Sequence, residues 1–169
     1  IMVQHKNGDY SLQPDDNGYS NDPAVKLQRL EIKGQTTTAT APVKGYFASH
    51  SLAGSKTNIP VLDSARSVSI VTADNIADRK AGTVEEVVAY SAGVSIGEAG
   101  LDPRYDQIRV RGYPVVTHAD FLDGLRQTNT GWLSYFSTVP YNLERVEILK
   151  GPETVLYGQL TPGGLINRV

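Results

Sequence analysis

The chain has 169 residues, with 16 Lys and Arg against 18 Asp and Glu, so its formal net charge is −2. This length fits about one ordinary domain with a short appendage, and the lack of a basic excess argues against a protein that binds nucleic acid, because phosphate contacts need positive charge. The sequence contains no cysteine, which excludes disulfides, thiolate metal sites and cysteine nucleophiles.

No apolar run in the sequence approaches the roughly 18 residues that a membrane-spanning helix requires. The first residues lack a charged segment followed by an apolar one, so they do not have the form of a signal peptide. We therefore expect the chain to begin inside a longer protein.

Residues 1–14 have the pattern of a β-hairpin. The dipeptide Asn7-Gly8 is a strong two-residue turn signal, and apolar residues on both sides of it are available to flanking strands. Because an isolated two-stranded hairpin is marginally stable in water, we expect this one to belong to a domain whose first part precedes Ile1.

Residues 15–50 are predicted to be a flexible linker, because polar and turn-forming residues dominate this part of the sequence. Within it, near 28–35, apolar and polar side chains alternate as they do in a short strand: Leu30, Glu31, Ile32 and Lys33, followed by Gly34. Two interpretations are open. The segment is either an ordinary edge strand or a strand that pairs with the sheet edge of a partner protein.

Residues 51–169 are predicted to form a globular domain of mixed strands and short helices. Alternating side chains predict strands over 67–72, 94–96, 107–111, 144–149 and 165–169. The dipeptide Asp123-Gly124 between apolar residues predicts a second hairpin. Strands mixed with short helices indicate the α+β class with a small mixed sheet.

Two short helices are predicted in the first half of this domain. The first covers 73–79, with Asp74 as its N-cap. The second follows a capping box in which the Thr83 hydroxyl caps the helix and Glu86 lies three residues later. Gly93 is placed to end the second helix. A further helical segment is expected after Gly151-Pro152.

The sequence contains no recognisable catalytic motif. His5, His50 and His118 are not spaced three or four residues apart, which argues against a histidine metal site. Residues 53–57 resemble the end of a phosphate-binding loop, but its first glycine is missing because position 49 is serine. A Gly-x-Ser-x-Gly nucleophile motif is also absent from the sequence. We predict that the chain is not an enzyme.

Charged residues inside the predicted strands allow two interpretations. Arg109 and Arg111 are two residues apart and therefore share a face of their strand, and Arg145 and Lys150 lie in the other charged strand. These cations either cover a solvated or internally paired surface or face acids on another structural unit, since buried arginine requires a partner. The acidic pairs are interpreted as surface charge: Glu85 with Glu86, and Glu144 with Glu147.

Six short motifs follow one another along the second part of the chain. They are SVSIVT at 67–72, TVEEVVAYSAG at 83–93, IRVRGY at 108–113, FLDGL at 121–125, LERVEILKGP at 143–152 with VLYG at 155–158, and PGGLIN at 162–167. In this order they resemble the plug domain of TonB-dependent outer-membrane receptors, in particular the ferric hydroxamate (ferrichrome and ferrioxamine) branch. The resemblance covers about residues 45–169.

This resemblance implies a fold and a function. The fold is a small mixed four-stranded sheet with short helices and long apical loops, enclosed by a β-barrel of about 22 strands that this chain does not include. The function is to gate the uptake of a ferric siderophore, with the plug inside the barrel in the bacterial outer membrane and the N-terminal segment in the periplasm. The implied partners are the receptor's own barrel, TonB and the ferric siderophore; no cofactor is implied, because the iron arrives inside the siderophore.

The resemblance also assigns roles to individual residues. The segment 30–34 occupies the place of the TonB box, which pairs with TonB when ligand binding releases it. Residues 1–14 resemble the last hairpin of a periplasmic signalling domain, whose partner is an anti-sigma regulator. The apical, ligand-binding candidates are Glu98, Ala99, Tyr113, His118, Trp132 and Tyr135, and the barrel-facing candidates are Arg109, Arg111, Arg145 and Lys150. A stand-alone ligand-binding domain is the remaining alternative.

Overall fold

The computed structural model describes residues 2–4, 10–12, 38–98, 100, 106–128 and 137–169. The chain divides into two compact units, Ile1–Gln35 and Thr36–Val169. In the first unit, strand β1 (Met2–Gln4) pairs antiparallel with strand β2 (Tyr10–Leu12). This pairing confirms an antiparallel hairpin, but Gln4 lies opposite Tyr10, whereas a two-residue turn at Asn7-Gly8 would place Gln4 opposite Ser11. The membership of the hairpin in a signalling domain stays a prediction.

The described part of the second unit contains ten strands and three α-helices. In chain order they are β3 (His50–Ser51), β4 (Ile59–Pro60), β5 (Ser67–Thr72), α1 (Ala73–Arg79), α2 (Val84–Val88), β6 (Val94–Ile96), β7 (Ile108–Val110), β8 (Tyr113–Pro114), β9 (Asp120–Leu122), β10 (Leu125–Arg126), β11 (Arg145–Lys150), α3 (Thr154–Tyr157) and β12 (Gly164–Arg168). Two short 3-10 helices cover Val61–Asp63 and Pro140–Asn142.

The central sheet has five strands in the order β10-β9-β12-β11-β5. β12 and β9 are parallel and the other neighbours are antiparallel. The α+β class with a mixed sheet is therefore confirmed. The sheet has one strand more than predicted because the Asp123-Gly124 hairpin contributes both of its arms. Both turn residues have left-handed φ angles, 50° and 77°, as this two-residue turn requires.

Helix capping agrees with the sequence at α2 and differs at α1. The Thr83 hydroxyl accepts a hydrogen bond from the Glu86 backbone N–H, as the capping box predicts. At α1, however, the N-cap is Thr72 and not Asp74, because Thr72 is the last extended residue and its hydroxyl accepts from the Asn75 N–H. α2 ends at Val88, and Gly93, with φ 76°, lies in the turn before β6.

The core forms around β11, which is buried along almost its whole length because β5 and β12 flank it and its two faces are covered. Val146 and Ile148 are fully buried in one apolar cluster with the valines of α2 and with Ile166 of β12. Side chains alternate along a strand, so Arg145 and Glu147 point to the opposite face. This burial overturns the interpretation of Glu147 as surface charge, and Glu85, which is 5% exposed, is likewise buried.

Two consecutive glycines allow three backbone segments to meet at the start of β12. A Cβ atom on Gly163 would lie 2.0 Å from the carbonyl oxygen of Val110, and a Cβ on Gly164 would lie 2.0 Å from that of Leu149. No side chain fits at these distances. The Gly-Gly pair therefore joins the sheet of β6, β7 and β8 to the central sheet.

Candidate ligand, coupling and barrel-facing sites

Two of the predicted apical residues, Glu98 and Tyr113, lie in or next to the small sheet β6-β7-β8. Glu98 follows β6, and its carboxylate is paired with the Arg109 guanidinium of β7. Arg109 Nη1 also donates a 2.8 Å hydrogen bond to the carbonyl oxygen of Gly112, next to Tyr113. The Tyr113 side chain is 46% exposed. Arg109 therefore lies between two apical candidates, and its partner within the described residues is internal.

The other apical candidates divide between exposed and undescribed residues. His118 is exposed in the turn that the hydrogen bond from Ala119 N–H to the Val115 carbonyl closes. Ala99, Trp132 and Tyr135 lie outside the described residues, as do the five residues of the predicted TonB box, 30–34. Their roles stay predictions.

Arg111 and Lys150 form a pair of neighbouring cations. The sequence predicted Arg111 to lie in a strand, but it lies in the turn after β7 with φ 51°, and it is exposed. Lys150, at the end of β11, donates a 2.7 Å hydrogen bond to Ser69 Oγ. Partial burial lowers the pKa of Lys150, and the positive charge of Arg111 lowers it further. The structure records no carboxylate within 4 Å of either cation among the described residues.

Arg145 occupies a different environment from the other barrel-facing candidates. It is 3% exposed, and its Nε lies 3.0 Å from Glu147 Oε1. Glu147 also accepts hydrogen bonds from Ser51 Oγ and from the Asn167 amide. Of the two interpretations that the sequence left open for Arg145, the structure shows internal pairing. Its guanidinium is buried in this network and does not present a free charge to a barrel.

Residues 38–48, called the strap below, pack on the rest of the second unit although the sequence assigns them to the linker. Their backbone N–H groups donate to side chains of that unit: Ala39 to Asn58 Oδ1 (2.8 Å), Val43 to Glu144 Oε1 (2.6 Å) and Gly45 to Asp74 Oδ2 (2.5 Å). The Thr72 hydroxyl donates to the Gly45 carbonyl, and Arg145 Nη2 donates to the Ala39 carbonyl. The strap therefore covers Arg145.

A second cluster that the sequence did not indicate surrounds Arg168 of β12. Its guanidinium is paired with Asp120 over 2.5 Å and bonded to the Thr138 hydroxyl. The pKa of Asp120 is raised to about 6 despite this pairing, chiefly by burial and to a lesser extent by the nearby Asp106 charge. Burial also raises the pKa of Asp106, which the charge of Arg168 partly offsets. These interactions join residues 14 to 62 positions apart in sequence, a separation that no local pattern reveals.

Neither a metal centre nor a spanning helix is found in the part of the chain that the structure describes. No cluster of three or more His, Cys, Asp or Glu side chains is arranged to hold a metal ion there. Among the same residues, no helix has the length and apolar character needed to cross a membrane.

The described fold, a small mixed sheet with short helices, corresponds to a known class of domain. The family model of the TonB-dependent receptor plug domain matches residues 60–165, more than half of the chain. The chain belongs to this family.

Named relatives agree with this assignment. The chain is 36% identical over 154 residues to the ferrichrome outer membrane transporter/phage receptor of Escherichia coli K12, covering 83% of this chain and 20% of that protein. It is 37% identical over 130 residues to the ferrioxamine receptor of Yersinia enterocolitica, covering 76% of this chain and 18% of that protein. These relatives are transport receptors and not enzymes, in agreement with the expectation from the sequence.

A solved structure shows the same fold. The ferric preacinetobactin receptor BauA of Acinetobacter baumannii matches with a TM-score of 0.62 and 27% identity, over 79% of this chain and 19% of that one. The chain thus spans about a fifth of the length of the relatives and structures that it matches.

Proposed function

We propose that this chain is the plug and gating domain of a TonB-dependent outer-membrane transporter that binds and imports a ferric siderophore. The observation that carries the proposal is the family match over residues 60–165, together with relatives that are named as ferrichrome and ferrioxamine receptors. In this proposal the plug lies inside the receptor's barrel, with its N-terminal segment in the periplasm. The iron is cargo and is held by the siderophore.

The proposed ligand is a hydroxamate siderophore. The proposal is supported by the names of the two relatives, which mention ferrichrome and ferrioxamine, the ligands of the ferric hydroxamate branch that the motifs resemble. Identity to each exceeds one third over more than 70% of this chain. The ligand contacts the exposed apical side chains Glu98, Tyr113 and His118 and the undescribed candidates Ala99, Trp132 and Tyr135. Aromatic rings among these residues suit the apolar rim of a siderophore.

The proposed coupling element is the TonB box at 30–34. In this mechanism ligand binding shifts the population toward a released box, and TonB then pairs with the box as an added strand. The proposal is supported by the alternation at Leu30 to Lys33 and by the place of the box ahead of the strap, the first segment of the second unit that the structure describes.

The proposed contact with the barrel consists of Arg111 and Lys150. Burial and the positive charge of Arg111 both lower the pKa of Lys150, and a nearby acid would offset these effects. No described carboxylate lies within salt-bridge distance of either cation. Acids on the inner barrel wall would supply that charge.

Signalling to a periplasmic anti-sigma regulator is a second candidate function. The observation in its favour is the antiparallel pairing of Met2–Gln4 with Tyr10–Leu12 in a unit separate from the plug. A transcriptional reporter that responds to the siderophore should lose its response when residues 1–14 are deleted, while uptake continues. Unchanged reporter induction in the deletion variant would exclude this function.

Uptake of radioactive iron tests the main proposal. The receptor that carries this chain is expressed in a strain without other siderophore receptors, and ferric complexes of hydroxamate, catecholate and citrate siderophores are supplied. We expect TonB-dependent uptake of a hydroxamate complex. Uptake of only a catecholate or citrate complex contradicts the ligand class, and the absence of uptake for all of them contradicts the transport function.

A further inference from the structure

The guanidinium of Arg168 carries five N–H donors on three nitrogen atoms, and two of these nitrogens have hydrogen-bond partners. Nη1 donates to Thr138 Oγ1 and Nη2 donates to Asp120 Oδ2. The third nitrogen, Nε, has no hydrogen-bond partner within the described residues, although the Arg168 side chain is about 2% exposed. A buried donor without a partner loses its hydration and gains nothing in return.

Asp106 presents the complementary atom. Its Oδ2 is buried and also has no hydrogen-bond partner in the described part of the chain. The carboxyl group precedes β7, whereas Arg168 ends β12. The two atoms are therefore one unused donor and one unused acceptor on neighbouring segments.

Both residues line one small cavity. Its volume is about 10 Å³, and its walls are formed by Asp106, Asp120 and Arg168 together with the apolar side chains of Val84, Ile108, Val115, Val116 and Ile166. One water molecule needs a cavity volume of at least about 10–15 Å³, and a buried water typically has two to four polar partners. The cavity offers a donor and two carboxylates, and it is too small for a larger ligand.

Charge also favours a polar occupant. Two carboxylates face one guanidinium here, so the ionised cluster carries an excess negative charge in a largely apolar surrounding. A further carboxyl group that interacts with Asp106, that of Glu85, accepts a hydrogen bond from the Gln107 backbone N–H. The O–H dipoles of a water molecule can stabilise this excess negative charge, so that no second cation is needed.

We propose that a single ordered water molecule occupies this cavity, accepting a hydrogen bond from Arg168 Nε and donating one to Asp106 Oδ2. Asp120 is the acceptor available to its second hydrogen. The water completes a hydrogen-bond network that connects β12, β9 and Asp106, which lies just before β7. In this way the end of the central sheet is tied to the small sheet that carries Arg109 and Tyr113.

A crystal structure of the receptor that carries this chain, at about 1.8 Å or better, tests the proposal. We expect a spherical density peak within hydrogen-bond distance of Arg168 Nε and Asp106 Oδ2. Three results overturn the proposal: an empty cavity between ordered side chains, a direct Arg168–Asp106 hydrogen bond that closes it, or a cation bound to the two carboxylates.

Two variants of the same carboxyl group sharpen the test. Asp106→Asn keeps an acceptor oxygen and almost the same volume, so the peak should remain. Asp106→Val removes the acceptor, so the peak should disappear, and a peak that persists there contradicts the bridging role. Asp63→Asn, at an exposed position, is the control and should leave the peak unchanged. If Asp106→Val does not fold, the wild-type and Asp106→Asn structures decide the question.

Discussion

At the scale of single residues, the most unusual chemistry lies in the carboxyl groups that share Arg168. The Arg168–Asp120 ion pair alone would lower the pKa of Asp120. Burial has the opposite effect and prevails, since removing a carboxylate from water costs more than one shared guanidinium returns. The pKa of Asp120 consequently rises from 3.8 to about 6, so the folded state binds a proton that the unfolded state has already lost at the same pH.

The raised pKa of Asp120 predicts how stability changes with pH. Between about pH 4 and pH 6 the folded state binds more protons at Asp120 than the unfolded state, so the free energy of unfolding falls as the pH rises through this window and then levels off. In Asp120→Asn this fall should shrink by roughly 2–3 kcal/mol, because an amide does not titrate and still offers Arg168 an oxygen. Urea unfolding at several pH values measures the change.

Asp63→Asn provides the matched control for this measurement, because Asp63 is exposed. Its unfolding free energy should keep the wild-type slope between pH 4 and pH 6. An equal slope in wild type and Asp120→Asn would show that the carboxyl group of Asp120 titrates normally in the folded state.

At the scale of elements, the strap is held differently from the strands. Its backbone N–H groups bond to single side chains, Asn58, Glu144 and Asp74, and not to a continuous ladder. Bonds of this kind break one at a time, so a local opening of the strap need not disrupt the sheet. The strap is therefore the segment of the second unit where a pull on the preceding linker would first act.

Limited proteolysis measures the opening of the strap, because Lys44 is an exposed trypsin site within it. Glu144→Ala removes the carboxylate that accepts from the Val43 N–H, a charge-assisted bond worth about 1.5–3 kcal/mol. We expect cleavage after Lys44 to become about tenfold faster or more. Glu98→Ala, which removes an exposed carboxylate outside the strap, should leave the cleavage rate unchanged; an equal rate in Glu144→Ala would show that Glu144 does not hold the strap.

The Gly-Gly pair before β12 gives a second prediction at this scale. In Gly163→Ala the new methyl group would meet the Val110 carbonyl oxygen, and overpacking of this kind costs typically 1–3 kcal/mol of unfolding free energy. Thermal or urea unfolding should show the loss. Gly82→Ala is the matched control, because its Cβ would have an ordinary contact of 3.6 Å; equal stability of the two variants would contradict the close approach.

At the scale of the whole molecule, the proposed coupling predicts a separation of binding from transport. Ile32→Pro removes a backbone donor and prevents the TonB box from pairing as a strand. We expect the full receptor with this change to bind ferric siderophore normally and to lose uptake. Ser20→Pro, in the predicted linker outside the box, should retain uptake, and normal uptake in Ile32→Pro would refute the TonB-box assignment.

The length of the chain leads to a prediction about ligand binding. Because the chain spans about a fifth of its relatives, we propose that the plug supplies only part of the ligand site and that barrel loops supply the rest. Isothermal titration calorimetry should therefore detect weak or no binding of ferric siderophore to this chain alone. Tight binding by the isolated chain would contradict a shared site.

Local patterns were sufficient for the longer elements but did not predict the two-residue strands β3, β4 and β8. Alternation predicts β5 and β11, the Thr83 capping box predicts the start of α2, and the Asp123-Gly124 dipeptide predicts its hairpin. For the capped helix and the hairpin the determining contacts lie within a few residues, as in the bond from the Glu86 N–H to Thr83 Oγ1, whereas β5 and β11 are predicted from their alternation although they pair with each other across more than 70 residues. The order of six motifs was also sufficient to identify the family, although no single motif is specific.

The tertiary structure alone decided which charges are buried and what they contact. Arg145 and Glu147 have the sequence pattern of an exposed strand face, yet Ser51, 96 residues before Glu147, and Ala39, 106 residues before Arg145, cover them. Arg168 meets Asp120 across 48 residues. Periodicity reports the face on which a side chain lies and not what later packs on that face, because burial is set by segments distant in sequence.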